Sequence, residues 1–177
     1  MASQTKVVML IILATAGAAL AVANPISAAD HRIVKDQAVR NAYSDKCPVG
    51  WSYYSGRCYL YNGDKLDWAS AEKFCQDFDA HLVSIHNENE HQQIKALIRA
   101  HDLTEDLTYI GLSDCQKPFE FFWSDGTKLT FTKWDQRQPD NYFNKECCVH
   151  MNHGTYKNWN DIACDKRSPF VCAKKSG

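Results

Sequence analysis

Asp67-Trp68-Ala69-Ser70-Ala71-Glu72-Lys73-Phe74-Cys75 is the stretch on which the fold turns. Asp67 is a helix-capping residue, because its short carboxylate can accept a backbone N–H of the first turn. Behind it Trp68, Ala71, Cys75 and Phe78 recur at helical spacing and form one inner face. Leu82, Ser84 and Ile85 then make a short extended link. Asn87, with Glu90 three residues later, resembles a capping pair. It opens a second helix that buries Ile94, Leu97 and Ile98.

Upstream, Cys47 to Tyr61 sets five aromatics around Ser55-Gly56, the pattern of a hairpin. Downstream of residue 108 the periodicity changes to short strands and long loops. Tyr109-Ile110-Gly111-Leu112, Phe121-Phe122-Trp123, Cys148 to Asn152, Asn158 to Ile162 and Phe170-Val171-Cys172 read as strands, with a turn at Ser124-Asp125-Gly126. Thr132 to Lys145 has little periodicity and many oxygen-bearing side chains. A loop of that length without structure of its own is usually functional or disordered. The fold class is α+β: two helices, then a strand-and-loop region.

The 177 residues allow one domain plus a leader. Net charge is −1 with the two signs interspersed, so no basic stripe is present to track phosphates and nucleic acid is excluded as a partner. Lys6, the apolar run Val7 to Leu20 and Ala21-Val22-Ala23 read as a signal peptide over residues 1–23, hence secretion to the extracellular space. A membrane anchor is the competing reading, but the run is short and rich in Ala and Gly. A second candidate cut follows Ser27-Ala28-Ala29. Residues 24–46 read as an N-terminal arm or propeptide and 47–173 as the domain. No other segment is apolar for long enough to insert in a membrane.

Eight cysteines follow the leader: Cys47, Cys58, Cys75, Cys115, Cys147, Cys148, Cys164 and Cys172. An even number behind an export signal reads as a disulfide framework. Zinc is the alternative, against which stands the absence of Cys-x-x-Cys pairs. Roughly 105 pairings are arithmetically open, and spacing does not choose among them.

Gln138-Pro139-Asp140, Glu146 and Trp159-Asn160-Asp161 together offer three carboxylates and two amide oxygens. Hard oxygen donors in that number suit Ca²⁺ rather than zinc or copper. Acidic surface loops are also common without an ion.

From Cys47 to Cys172 the chain resembles the C-type lectin-like domain family. The resemblance is carried by Cys47-Pro48-x-x-Trp51, Trp68-Ala69-x-Ala71-Glu72-x-x-Cys75, Leu82-Val83-Ser84-Ile85, Tyr109-Ile110-Gly111-Leu112, Trp123-Ser124-Asp125-Gly126, Gln138-Pro139-Asp140, Trp159-Asn160-Asp161 and the spaced Cys148, Cys164 and Cys172. Tyr109 stands where the family usually has Trp. The resemblance implies bridges Cys47–Cys58, Cys75–Cys172 and Cys148–Cys164. The extra Cys115 and Cys147 are similar to those of a fish branch holding small galactose lectins and type II antifreeze proteins, which implies a fourth bridge between them.

The resemblance further implies a calcium-dependent lectin without catalysis, in which Gln138, Asp140, Glu146, Asn160 and Asp161 hold the ion and contact the sugar. In such lectins Gln-Pro-Asp goes with galactose, N-acetylgalactosamine or lactose, and Glu-Pro-Asn with mannose. A carboxylate only accepts hydrogen bonds whereas an amide also donates, so the order of the two sets which hydroxyl pair is matched. Pro139 is expected to follow a cis bond. Tyr142 stands where galactose-binding relatives tend to place an aromatic that stacks on the sugar; packing against its neighbours is the alternative role. Asn141 and Cys147 occupy positions where a second calcium site often has acids, and the loop lacks the family's glycine-rich insertion. The implied partners are galactose-terminated glycans, with useful avidity expected from non-covalent homo-oligomers or from clustered glycans. Host defence is compatible with that reading.

An ice-binding protein and a calcium-free protein-binding domain are the rival functions. Ice surfaces favour flat arrays of small hydroxyls and methyls, against which Tyr142, Phe143 and Lys145 are bulky or charged. Asp135 and Asn158 stand where the antifreeze branch often carries a further cysteine pair. An enzyme finds no support. His150 and His153 fall in a strand and turn, where residues three apart face away from each other, and no Gly-x-Ser-x-Gly elbow is present.

Overall fold

The computed structural model describes residues 46–177. The expected leader, and all of the expected arm except Lys46, lie outside the described residues. Asp67 caps helix α1, Trp68–Gln76, accepting the Ser70 N–H at 3.0 Å and the Ser70 hydroxyl at 2.8 Å. Such a cap stabilises a helix by about 1 kcal/mol. Ala71 and Cys75 are fully buried, and the Trp68 indole donates to the Ile110 carbonyl at 2.9 Å. Phe78 departs from the expected inner face and is 44% exposed. The helix stops at Gln76 and Asp79 turns left-handed (φ +53°), so helical periodicity no longer aims the ring. Phe78 instead rests on Phe74, with centroids 5.2 Å apart.

Helix α2, Glu88–His101, starts where Asn87 accepts the Glu90 N–H at 2.9 Å. The Glu90 carboxylate reaches back to the His86 N–H, one residue further than a strict capping box. Ile94, Leu97 and Ile98 are buried against the sheet, together with Ile110, Leu112, Val149, Met151 and Trp159.

Among the described residues the strands are β1 Ser52–Tyr54, β2 Arg57–Leu66, β3 His81–Leu82, β4 Thr108–Ser113, β5 Phe122–Trp123, β6 Cys148–His153, β7 Asn158–Ile162 and β8 Ser168–Lys175. They form one sheet in the order β1-β2-β8-β4-β6-β7, with β3 on β8 and β5 on β4. β4 runs parallel to β8 at Tyr109 and Phe170, and the other pairings are antiparallel. Gly111 sits at a close approach. A Cβ there would stand 2.5 Å from the Leu82 carbonyl oxygen, so no larger residue fits between β4 and the end of β3.

Four bridges staple this frame: Cys47–Cys58, Cys75–Cys172, Cys115–Cys147 and Cys148–Cys164, the pairs that the family resemblance implies. Cys75–Cys172 spans 97 residues. In the chain-entropy account a loop of that size is worth about 4.7 kcal/mol. It fixes α1 to β8, so the sheet holds its shape while the loop between β5 and β6 stays irregular.

The β6–β7 pair corrects one expectation. Strict alternation would turn His150 and His153 to opposite faces. The register shifts between them and Asn152 adopts φ +72°, so the two rings stack 6.1 Å apart at 19°.

Candidate metal and sugar site

Trp159 anchors the floor of the site. It is fully buried, and its indole meets Trp123, Phe131 and Trp134 edge-on at 5.8, 5.8 and 5.9 Å. Backbone bonds Asp135 N–H to Trp159 O and Trp159 N–H to Lys133 O, both 2.8 Å, clamp the long loop to β7. The next two residues of β7 are Asn160, opposite His150, and Asp161, opposite Val149.

Asp161 is 1% exposed, and its two carboxylate oxygens accept the N–H groups of Asp140 (3.1 Å) and Asn141 (2.7 Å). Glu146 is half-buried. Its carboxylate accepts the Tyr142 N–H at 3.3 Å, and its own N–H donates to the Asn141 side-chain oxygen at 3.3 Å. One carboxylate oxygen each from Asp140, Glu146 and Asp161 lies within 4.8 Å of the others. Burial, and then the charges of Asp161 and Asp140, push the Glu146 carboxyl above its ordinary range, partly offset by the Tyr142 N–H.

Gln138 ends a turn closed by its N–H on Asp135 O at 3.0 Å, and its bond to Pro139 is cis. The Gln138 side-chain oxygen is buried and has no hydrogen-bond partner. A buried amide oxygen without a donor is costly. Gln138 precedes Asp140 by two residues, and a hard cation would remove the repulsion of the three converging carboxylates and accept an amide oxygen as a further ligand, so these residue types fit Ca²⁺. Asn160 is turned differently. Its amide nitrogen faces His150 Nε2 at 3.0 Å and its neighbour's carbonyl, Asp161 O. The amide nitrogen is thereby engaged, so the oxygen is the atom of this side chain that could serve an ion.

Tyr142 is 61% exposed on a short 3₁₀ turn, Tyr142–Asn144, and packs against Phe143 with centroids 4.2 Å apart. Phe143 is 74% exposed and held at φ +55°, uncommon for a bulky side chain. Sequence reading singled out Tyr142 and not Phe143, although the adjacency of two aromatics in a polar loop was the available signal. It also missed the His150 contact to Asn160, which follows from the β6–β7 register.

Asp114 is a further carboxylate near the site, 2% exposed and pushed up by burial and then by Asp161. It accepts the Phe119 N–H at 2.6 Å, and its backbone N–H donates to Cys147 O at 3.1 Å.

Two helices pack against a mixed sheet, and a carboxylate-bearing loop is pinned to the strands at one end. The chain belongs to the lectin C-type domain family, whose model matches residues 64–174. It is 40% identical over 129 residues to the type-2 ice-structuring protein of Osmerus mordax, covering 73% of this chain and 71% of that one. It is 38% identical over 144 residues to the lactose-binding lectin l-2 of Anguilla japonica, covering 79% and 85%. Herring type II antifreeze protein superposes with a TM-score of 0.68 at 38% identity, covering 73% of this chain and 98% of that one.

Proposed function

We propose that this protein is a secreted lectin that binds terminal galactose, N-acetylgalactosamine or lactose through Ca²⁺. One observation carries the reading: the carboxylates of Asp140, Glu146 and Asp161 converge within 4.8 Å of one another. Gln138, Asp140, Glu146, Asn160 and Asp161 would hold the ion, and the ion would supply coordination to two neighbouring sugar hydroxyls. This chain's own residues do the rest. Gln138 and Asp140 present an amide and a carboxylate in galactose order, and Tyr142 offers an exposed ring to the apolar face of the sugar. A lactose-binding relative at 38% identity supports that specificity.

A shallow site of this kind would bind a monosaccharide at ~1 mM, about −4 kcal/mol. Biological avidity then comes from several sites on one assembly. No helix among the described residues is long and apolar enough to cross a membrane.

The kinship with ice-structuring proteins favours a second reading, ice binding. Exposed Tyr142 and Phe143, flanked by exposed Arg137 and Lys145, give the loop a bulky, charged outline instead of a flat array of small groups. A glycan array with the mature protein, with and without EDTA, and thermal hysteresis in parallel separate the two. Calcium-dependent galactoside binding supports the first reading. Hysteresis without glycan binding overturns it.

A further inference from the structure

Two of the four disulfides touch each other. The Cys147 sulfur lies 3.4 Å from that of Cys164, and the Cys115 sulfur lies 3.5 Å from Cys164 and 4.0 Å from Cys148. The four sulfurs therefore form one cluster, and their exposure is graded. Cys115 is exposed, Cys147 and Cys164 are half-buried, and Cys148 is buried. The other two bridges have Cys58, Cys75 and Cys172 fully buried.

We propose that this cluster is a thiol-exchange site, which a small soluble thiol of the glutathione class enters at Cys115 and which re-pairs as Cys115–Cys148 and Cys147–Cys164. Exchange proceeds by attack of a thiolate on a disulfide sulfur, so it needs an accessible sulfur first and neighbours in contact afterwards. The external thiolate attacks the Cys115 sulfur, forming a mixed disulfide there and releasing the Cys147 thiolate. That thiolate attacks Cys164, its 3.4 Å neighbour, forming Cys147–Cys164 and releasing the Cys148 thiolate. Cys148 then attacks Cys115 in the mixed disulfide, across the 4.0 Å gap, and the external thiolate leaves. Three S–S bonds form and three break, no net electrons move, and the proton lost by the entering thiol returns to it on departure.

The consequence reaches the ion site, and that part rests on the calcium reading above. Cys147 directly follows Glu146, and Cys148 opens β6 opposite Ile162, the neighbour of Asp161. Re-pairing moves the attachment of the residue next to Glu146, and a calcium titration of the exchanged form against the native form is expected to show weaker binding.

The test incubates the mature protein with reduced and oxidised glutathione at mildly alkaline pH, quenches with an alkylating agent, and maps non-reduced peptides with fragmentation between Cys147 and Cys148. The expected result is time-dependent appearance of Cys115–Cys148 and Cys147–Cys164, with Cys47–Cys58 and Cys75–Cys172 unchanged. Reaction that stops at a Cys115 mixed disulfide with Cys148–Cys164 intact overturns the proposal, as does equal loss of all four bridges or no reaction. In the variant Cys148→Ser/Cys164→Ser the acceptor bridge is gone, and the reaction should halt at glutathionylated Cys115 with a free Cys147 thiol. Should that variant not fold, the wild-type map alone decides. The map needs neither calcium nor sugar, so a failure of the lectin reading leaves this result standing, and the reverse.

Discussion

The Asp161 carboxylate accepts the Asn141 backbone N–H at 2.7 Å across twenty positions of sequence, joining β7 to the loop that presents Tyr142. It also accepts the Asp140 N–H, so one buried side chain both shapes the loop and faces the proposed ion. Glu146 closes the same ring with a carboxyl pushed up by burial and by Asp161 and Asp140. A carboxylate with a raised folded pKa destabilises the metal-free fold once pH exceeds its ordinary value. Calcium reverses that cost, so millimolar calcium should raise the melting temperature at pH 7. Protons compete for the same oxygens, so calcium and sugar binding should fade on acidification, with Glu146 taking up a proton above the usual carboxylate range. Melting curves with EDTA or calcium between pH 7 and pH 4 check this; identical curves at pH 7 would reject the ion.

Tyr142 and Phe143 share one exposed aromatic surface. If Tyr142 stacks on the sugar, Tyr142→Ala should cost about 1 kcal/mol of galactoside affinity, and calcium affinity should stay within error. Phe143→Ala should cost less, through loss of the ring that supports Tyr142. Titration calorimetry with lactose measures both. Unchanged lactose affinity in Tyr142→Ala would assign the ring a packing role.

Gln138 and Asp140 flank a cis proline and present an amide and a carboxylate. The double substitution Gln138→Glu/Asp140→Asn keeps the net charge and the count of oxygen donors, so calcium should still bind. It exchanges the donors and acceptors offered to two sugar hydroxyls, and each mispaired polar group costs about 1–3 kcal/mol. Galactose binding should fall by at least tenfold and mannose binding should become measurable. Retention of galactose preference at saturating calcium would show that this triplet does not set specificity.

His91 is fully buried on α2, where it accepts the Trp159 indole N–H on Nδ1, and its Nε2 has no partner. Burial, which outweighs the opposing pull of Glu88, lowers its pKa from 6.5 to about 4, and Lys95 and Lys133 act in the same direction. The unfolded chain therefore binds a proton that the folded one refuses. The stability from the neutral ring is complete above pH 6.5 and is lost as pH falls toward 4, by up to about 3 kcal/mol. His150 is lowered to about 4 by burial too and adds to the slope. Urea unfolding in EDTA at pH 7 and pH 5 should show the loss, and His91→Phe should reduce it by roughly half, His150 supplying the remainder; an unchanged slope in the variant would place the proton uptake elsewhere.

Local chemistry made half of this protein legible from residues alone. Asp67 and Asn87 cap helices because each bond they make spans three residues, and Ile94, Leu97 and Ile98 face inward because a 3.6-residue period is a property of the chain itself. The oxygen-donor set was legible too, as residue types, and the family resemblance joined Gln138, Asp140 and Glu146 to Asn160 and Asp161 across the intervening strand. Tertiary structure decided what depends on register and approach. It turned Phe78 outward past the end of α1, stacked His150 on His153 across a register shift, and committed the Asn160 amide to His150. It also left Gln138 with an unpartnered buried oxygen and brought two disulfides into contact. Each of these is a distance between groups far apart in sequence or aimed by a break in periodicity, and the packing of the sheet, not the chain's local preference, determines such distances.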